Sequence, residues 1–197
     1  HSDKKGNVWI GTNNGIDRIK FDSYGQIRKI KNYKSKQGFK GVECNSRAIF
    51  EDKKNNLWIG TVKGLIKYNP AHDKNNVFEP LIQINNLKLF FEDVNWLNYS
   101  KKLIKWNNLP TQLELDYNEN HLTFEFSAIN LTFPEDVQYR FKLTPFDEQW
   151  FSSTDQKFAT YSNLPPGDYT FEVRARNEDG VWNQEPASYS FIISPPL

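Results

Sequence analysis

Short segments with alternating apolar and polar residues recur through the later part of the chain. A period of two places every second side chain on the same face of a strand, and turn residues separate the segments. The apolar positions are Ile82 and Ile84; Leu113 and Leu115; Leu122, Phe124 and Phe126; Tyr139, Phe141 and Leu143; Tyr169, Phe171, Val173 and Ala175; and Tyr189, Phe191 and Ile193. The pattern predicts an antiparallel β-sandwich of about seven strands.

The beginning of the chain contains a repeat instead. Residues 3–19, DKKGNVWIGTNNGIDRI, and residues 52–68, DKKNNLWIGTVKGLIKY, lie 49 positions apart and share nine identities in seventeen aligned positions. A period near 50 is typical of β-propeller blades, whose small sheets bury their faces against neighbouring blades. We therefore predict an all-β chain in which partial propeller blades precede an immunoglobulin or fibronectin III-like antiparallel sandwich.

Four positions in each copy of the repeat have an expected structural role. The tryptophan packs between blades, the next glycine permits close backbone approach, and a dipeptide ending in glycine turns into the following strand. These residues are Trp9, Gly11 and Asn14-Gly15 in the first copy, and Trp58, Gly60 and Lys63-Gly64 in the second. The first copy lacks the strand that residues 47–51 supply in the second, so we expect the chain to begin inside a blade.

Residues 47–70, RAIFEDKKNNLWIGTVKGLIKYNP, resemble the propeller repeat of two-component regulators. We assign residues 1–79 to truncated propeller repeats, one incomplete blade and one further blade, and residues 80–197 to the sandwich. Closed propellers use about four to eight blades, so these repeats cannot close a ring. We expect uncovered apolar faces around Trp9 and Trp58, and a half-blade that leans on its own sandwich, a second copy of the chain or blades outside this sequence.

The segment LPPGDYTFEVRARNEDG, residues 164–180, is the most informative part of the predicted sandwich. Its beginning resembles the tyrosine corner of immunoglobulin-like and fibronectin III domains. We therefore expect the Tyr169 hydroxyl to bond to backbone near Leu164. Gly180 is expected to supply a positive φ in the turn that starts at Asn177.

Residues 122–197 resemble the Y_Y_Y domain, named for three tyrosines, which closes the sensor region of the same regulators. The matching positions are Tyr139, Tyr161 and Tyr169, residues 146–150 with Trp150, residues 161–167 with Gly167, Gly180 with Trp182, and residues 193–196. The family usually has Gly where Pro145 stands, which changes the expected turn. The resemblance implies a membrane-proximal periplasmic domain, with Pro195-Pro196 as an extended tether to a membrane-spanning helix after residue 197.

Composition and motifs give no support for nucleic-acid binding, metal or cofactor binding, or catalysis. The 25 Lys plus Arg residues nearly balance the 24 Asp plus Glu residues, so no nucleic-acid partner is predicted. The three histidines and the single cysteine, Cys44, have no metal-ligand spacing, and neither a metal site nor a cofactor is predicted. No nucleophile elbow, phosphate-binding loop or dinucleotide fingerprint is present, so no catalytic residue is predicted. Acidic pairs such as Glu51-Asp52 are interpreted as solvated turns.

The resemblance implies a non-catalytic, extracytoplasmic signalling segment. Upstream propeller blades would bind a ligand, often a saccharide, and the sandwiches of a homodimer would shift to signal across the membrane to a histidine kinase. The ligand-binding residues are not predicted. One alternative is a carbohydrate-binding module with exposed Trp96, Trp106 or Trp182 as a sugar platform. The other is a hydrolase with accessory domains, which requires a cleft with converging carboxylates.

Overall fold

A computed structural model describes residues 1–35 and 38–196 of the chain. The chain separates into two compact units, His1–Asn75 and Asn76–Leu197. Both are built from β-strands, which confirms the predicted all-β class. Asn76 already belongs to the second unit because its backbone N–H donates to Asp179 Oδ2 at 2.7 Å and its carbonyl accepts from Asn177 Nδ2 at 2.9 Å.

The first unit consists of two antiparallel three-stranded sheets. The strands are β1 (Val8–Thr12), β2 (Gly15–Phe21) and β3 (Ile27–Tyr33) in one sheet, and β4 (Cys44–Glu51), β5 (Leu57–Thr61) and β6 (Gly64–Tyr68) in the other. The tight turns lie where the repeat predicts them, since Thr12 pairs with Gly15 and Thr61 pairs with Gly64. Both glycines have a positive φ, which L residues rarely adopt.

Close approach explains the glycines that follow the tryptophans. A Cβ atom on Gly11 would lie 2.6 Å from Cys44 Cβ, and one on Gly60 would lie 2.8 Å from Ala48 Cβ. Both distances are below van der Waals contact, so the expected close backbone approach is present at both positions.

The two tryptophans of the repeat differ in environment. Trp9 is only 2% exposed, and its ring centroid lies 5.6 Å from that of Tyr33 and 4.8 Å from that of Tyr68. The expectation of an uncovered face around Trp9 is therefore wrong, because tyrosines from β3 and β6 cover it. Trp58 is half-buried, lies outside the core cluster and has Lys67 Nζ 5.3 Å from its ring centroid. Packing between blades thus describes Trp9 and not Trp58.

The second unit is a sandwich of a four-stranded and a three-stranded sheet. The strands are β7 (Leu81–Leu89), β8 (Leu113–Leu115), β9 (Leu122–Ile129), β10 (Gln138–Thr144), β11 (Phe158–Tyr161), β12 (Gly167–Arg176) and β13 (Ala187–Ile193), and short 3₁₀ helices cover Trp96–Asn98 and Pro134–Asp136. The sheet orders are β10-β12-β13-β8 and β11-β9-β7. The predicted sandwich is confirmed, with one correction: β8 pairs with β13 in parallel.

Aromatic rings fill the space between the two sheets. Phe124 of β9 and Phe171 of β12 stack with centroids 4.2 Å apart and an interplanar angle of 8°. Both side chains are 0% exposed, and each comes from a period-two pattern in the sequence. The alternation therefore identified the inward face correctly on both sheets.

The last strand ends before the proline pair. β13 ends at Ile193, and Pro195 and Pro196 are exposed and outside any strand, as predicted. Leu197 lies outside the described residues. The Thr144-Pro145 peptide bond, at the position where the family usually has Gly, is cis. In the part of the chain that the structure describes, no helix has the length and apolar character needed to cross a membrane.

Candidate functional site

Each copy of the repeat contains an aspartate that organises its turn. Asp52 accepts hydrogen bonds from the Lys54 and Asn56 backbone N–H groups at 2.8 and 2.9 Å, and from Trp58 Nε1 at 2.9 Å. Asp3 does the same in the first copy and accepts from Trp9 Nε1 at 2.8 Å. The shared spacing, Asp followed by Asn four residues later and Trp six residues later, therefore has a direct physical meaning.

The hydrogen bonds of Asp52 correct the interpretation of Glu51-Asp52 as a merely solvated turn. Hydrogen bonds from the Asn56 and Trp58 side chains hold the pKa of Asp52 well below its ordinary value. Burial alone raises the pKa of Asp3, but hydrogen bonds from Trp9 and Asn7 outweigh it and the pKa is lowered. Both carboxylates stay ionised because the groups around them donate to the charged form.

A buried polar network around Asp73 was not predicted from the sequence. Arg18 Nη1 lies 2.7 Å from Asp73 Oδ2, and Lys31 Nζ lies 2.8 Å from Oδ1. The Tyr33 and Tyr68 hydroxyls donate to Oδ2 at 2.7 and 2.8 Å. One carboxylate from the loop after β6 thereby ties together β2, β3 and β6.

The network has more positive than negative charge. Arg18 and Lys31 share Asp73, and the side chains of Arg18 and Asp73 are only 8% and 10% exposed. Burial on its own raises the pKa of Asp73, but hydrogen bonds from Lys31 and the tyrosines and the charge of Arg18 hold it well below its ordinary value. Burial raises the pKa of Tyr68 to about 12. The phenols therefore stay protonated and act as donors to Asp73.

The network borders an open groove in the first unit with a cavity volume of about 570 Å³. Its lining includes the basic residues Lys5, Arg18, Lys20, Arg28 and Lys29. Asn7 and Asn55 add polar groups beside them. Among the described residues, no group of three or more His, Cys, Asp or Glu side chains is placed to hold a metal ion.

The three tyrosines that match the Y_Y_Y pattern are all buried and hydrogen-bonded. The Tyr169 hydroxyl donates to Pro165 O at 2.6 Å, which is the bond expected near Leu164. The Tyr161 hydroxyl donates to Asp147 Oδ2 at 2.7 Å, and the Tyr139 hydroxyl accepts from the Ala128 N–H at 3.2 Å. Each tyrosine therefore fixes a different loop or strand of the sandwich.

The two glycines of the sandwich motif lie on either side of β12, one at its first residue and one in the turn that follows it. Gly167 begins β12, next to the Tyr169 ring, which a Cβ atom would meet at 3.7 Å. Gly180 has a φ of 88° and donates its N–H to Asn177 O at 3.0 Å, as predicted for that turn. Asn177 Nδ2 also bonds to Phe78 O at 2.9 Å, which attaches the turn to the segment before β7.

Trp150 and Trp182 belong to a ladder of rings and cations on the four-stranded sheet. The Arg140 guanidinium carbon lies 5.1 Å from the Trp150 ring centroid and 4.5 Å from that of Trp182. Lys142 and Arg174 also cover Trp150, at 5.2 and 5.4 Å. Alternation along β10 and β12 places these side chains on the face opposite the core.

The tryptophans of the carbohydrate-binding alternative do not form an exposed row. Trp96 is 6% exposed and belongs to the sandwich core, while Trp182 is half-buried beneath Arg140. Trp106, at 64%, is the exposed member of the three. The expectation of exposure is wrong for Trp96 and Trp182 because the core and the cation ladder cover them.

Two family models match separate parts of the chain. Residues 130–194 match the model of the Y_Y_Y domain, and residues 41–63 match that of the two component regulator propeller. The Y_Y_Y match contains Tyr139, Tyr161 and Tyr169, and the propeller match contains Trp58 and Gly60.

Similar proteins extend the likeness over nearly the whole chain. The chain is 23% identical over 189 residues to histidine kinase P4 of Formosa agariphila, covering 96% of this chain but 13% of that protein. The extracellular domain of a hybrid two component system from B. thetaiotaomicron has the same fold, with a TM-score of 0.73 and 22% identity over 99% of this chain and 26% of that one. The extracellular domain of a one component system from the same organism matches with a TM-score of 0.51 and 21% sequence identity. This match covers 100% of this chain and 29% of that one.

Proposed function

From the premise that the chain carries a two-component regulator propeller repeat and a Y_Y_Y domain, we propose that it is a non-catalytic segment for sensing and relay in the periplasm. A propeller that includes these blades binds a saccharide, and the sandwich passes the change to a histidine kinase. The observation that carries the proposal is the fold match across 99% of the chain to the extracellular domain of a hybrid two component system.

The construction of the sandwich supports the relay role. The stacked Phe124 and Phe171 rings join the two sheets, and the Tyr161–Asp147 bond ties β11 to the turn after β10. A domain fixed at these points moves as one rigid body. A displacement at one end is therefore transmitted to the other end and is not absorbed by rearrangement of the core. We propose that two sandwiches pair as a homodimer and that a membrane span follows residue 197.

Stiff coupling after the sandwich can be tested in the full-length parent sensor. A flexible Gly-Ser insertion directly after Pro196 is expected to abolish saccharide-dependent kinase output while the extracellular region still binds the saccharide. The same insertion beside Leu131, which is 94% exposed in the loop after β9, is the control and should leave the output intact. A sensor that still responds with the insertion after Pro196 contradicts the relay role.

A further inference from the structure

One face of the first sheet carries like charges directly opposite one another. In the β2–β3 register, Arg18 pairs with Lys31 and Lys20 pairs with Lys29. Like charges at opposing positions repel and lower the stability of a sheet. Such a face is unfavourable unless anions compensate the charge, so it needs a physical explanation.

Asp73 compensates part of this charge. It lies between Arg18 and Lys31 and bonds to both. The carboxylate of Asp3, which also lines the groove, is engaged by its own turn and by Trp9 Nε1. The basic residues that line the groove, Lys5, Arg18, Lys20, Arg28 and Lys29, outnumber the acidic ones, Asp3, Glu51 and Asp73.

Lys20 on this face is available to an acceptor from outside. Arg18 is 7% exposed, its Nη1 bonds to Asp73 and Tyr68, and its Nε is buried. Lys20, one step along β2 on the same face, makes no ion pair with any described residue. Burial and the charges of Arg18, Lys29 and Lys31 lower the pKa of Lys20, which reflects the positive potential around it. An ammonium in a positive potential gains from a bound anion.

We propose that the groove bordered by Arg18, Lys20 and Arg28 binds a short anionic saccharide through a carboxylate or sulfate group. The saccharide class rests on the proposed function, whereas the requirement for negative charge rests on the groove itself. A guanidinium presents planar donors that match either anion. Asn7 and Asn55, which line the same groove, supply donors and acceptors for sugar hydroxyls.

The test measures binding to the 197-residue chain by calorimetry, with four probes. They are an oligogalacturonate trimer, a sulfated galactose trimer, an unsulfated galactose trimer and inorganic sulfate. At least one anionic trimer is expected to bind about tenfold or more tighter than the neutral trimer, because a charge-assisted bond is added. Its affinity should fall when salt rises from about 0.05 M to about 0.5 M, since screening weakens the contact.

Variants locate the site on the chain. Lys20→Gln and Arg28→Gln should each weaken the anionic trimer about threefold to tenfold by removing one charge from the groove. Lys63→Gln removes the same charge from the exposed β5–β6 turn and should leave binding unchanged. Arg18→Gln also releases Asp73, so its folding is checked by tryptophan fluorescence before its binding is interpreted.

Each outcome decides the proposal. Equal binding of neutral and anionic trimers, no binding of any anionic trimer, or unchanged binding by Lys20→Gln and Arg28→Gln overturns the site. Sulfate that binds as tightly as the trimers overturns the saccharide assignment. A parent sensor that responds to a neutral saccharide while the anionic trimers fail to bind removes this site and leaves the proposed function standing.

Discussion

The Tyr161 hydroxyl donates a 2.7 Å hydrogen bond to Asp147 Oδ2, the oxygen that also accepts from the Leu143 N–H at 2.7 Å. Asp147 in turn donates its own N–H to Leu143 O. The carboxylate thus closes the turn after β10 and attaches it to β11 in the opposite sheet. Burial and the Asp147 charge raise the pKa of Tyr161, which keeps the hydroxyl protonated as a donor.

The contrast with Tyr169 gives a matched pair of variants. Tyr161→Phe removes a bond to a charged group and is expected to lower the free energy of unfolding by about 1.5 to 3 kcal/mol. Tyr169→Phe removes a bond to the neutral Pro165 carbonyl and should cost about 0.5 to 1.5 kcal/mol. Urea denaturation of both variants measures the difference. Equal losses, or a larger loss in Tyr169→Phe, contradict the role assigned to Asp147.

The fold was predictable where side chains alternate cleanly. Four strands, β9, β10, β12 and β13, have a buried apolar side chain at every second residue. The alternation of apolar and polar residues in the sequence predicts all four. β3 was missed because its sequence, IRKIKNY, leaves Ile27 58% and Ile30 51% exposed, so no apolar face marks it. The parallel pairing of β8 with β13 was also missed, since alternation defines faces and carries no information on strand direction.

The close approach of β4 and β5 at Gly60 predicts a specific pairwise effect. Gly60→Ala places a Cβ atom 2.8 Å from Ala48 Cβ, and overpacking of this kind costs about 1 to 3 kcal/mol. Ala48→Gly removes the opposing methyl group, so the double variant should recover part of the loss. A double-mutant cycle by thermal denaturation measures this coupling, which should be at least about 0.5 kcal/mol. Simple additivity of the two changes would show that the two positions do not clash.

The candidate site was less predictable than the fold. Arg18 and Asp73 lie 55 positions apart, and Asp73 stands in a polar loop with no periodic pattern. Only the folded sheet brings Arg18 and Lys31 to the same carboxylate, so no local signal exists. The turns organised by Asp3 and Asp52 differ from the Asp73 network because they have a local signal. The spacing of Asp, Asn and Trp is present in both copies of the repeat and could have been recognised as a hydrogen-bonded turn.

The ring and cation ladder predicts a difference between arginine and lysine. Arg140 lies over Trp150 and Trp182, and a planar guanidinium covers both rings where an ammonium cannot. Arg140→Lys keeps the charge and is expected to lower the free energy of unfolding by about 0.5 to 2 kcal/mol. Tryptophan emission should also shift to the red as water reaches the rings. Arg28→Lys, at an exposed position of β3, is the control. An equal loss of unfolding free energy in Arg28→Lys would mean that the ring and cation ladder is not the cause of the effect at Arg140.

Asp73 should make the first unit sensitive to acid. Its pKa is held below the ordinary value in the folded chain, so its contribution to stability is present above about pH 4, the unfolded pKa, and is lost as the pH falls toward the folded value. Asp73→Asn leaves Arg18 and Lys31 without their carboxylate and is expected to destabilise the unit by about 3 kcal/mol at neutral pH.

Below about pH 4 the difference between Asp73→Asn and the wild type should shrink, because the unfolded wild-type chain then binds a proton at Asp73 that the folded chain, with its lowered pKa, does not. Hydrogen exchange of the β2 and β3 amides across this range measures the effect in the first unit. The β12 amides in the sandwich serve as the internal control and should exchange alike in both proteins at each pH. A gap in β2 and β3 that persists unchanged to low pH would mean that the Asp73 charge does not hold these strands.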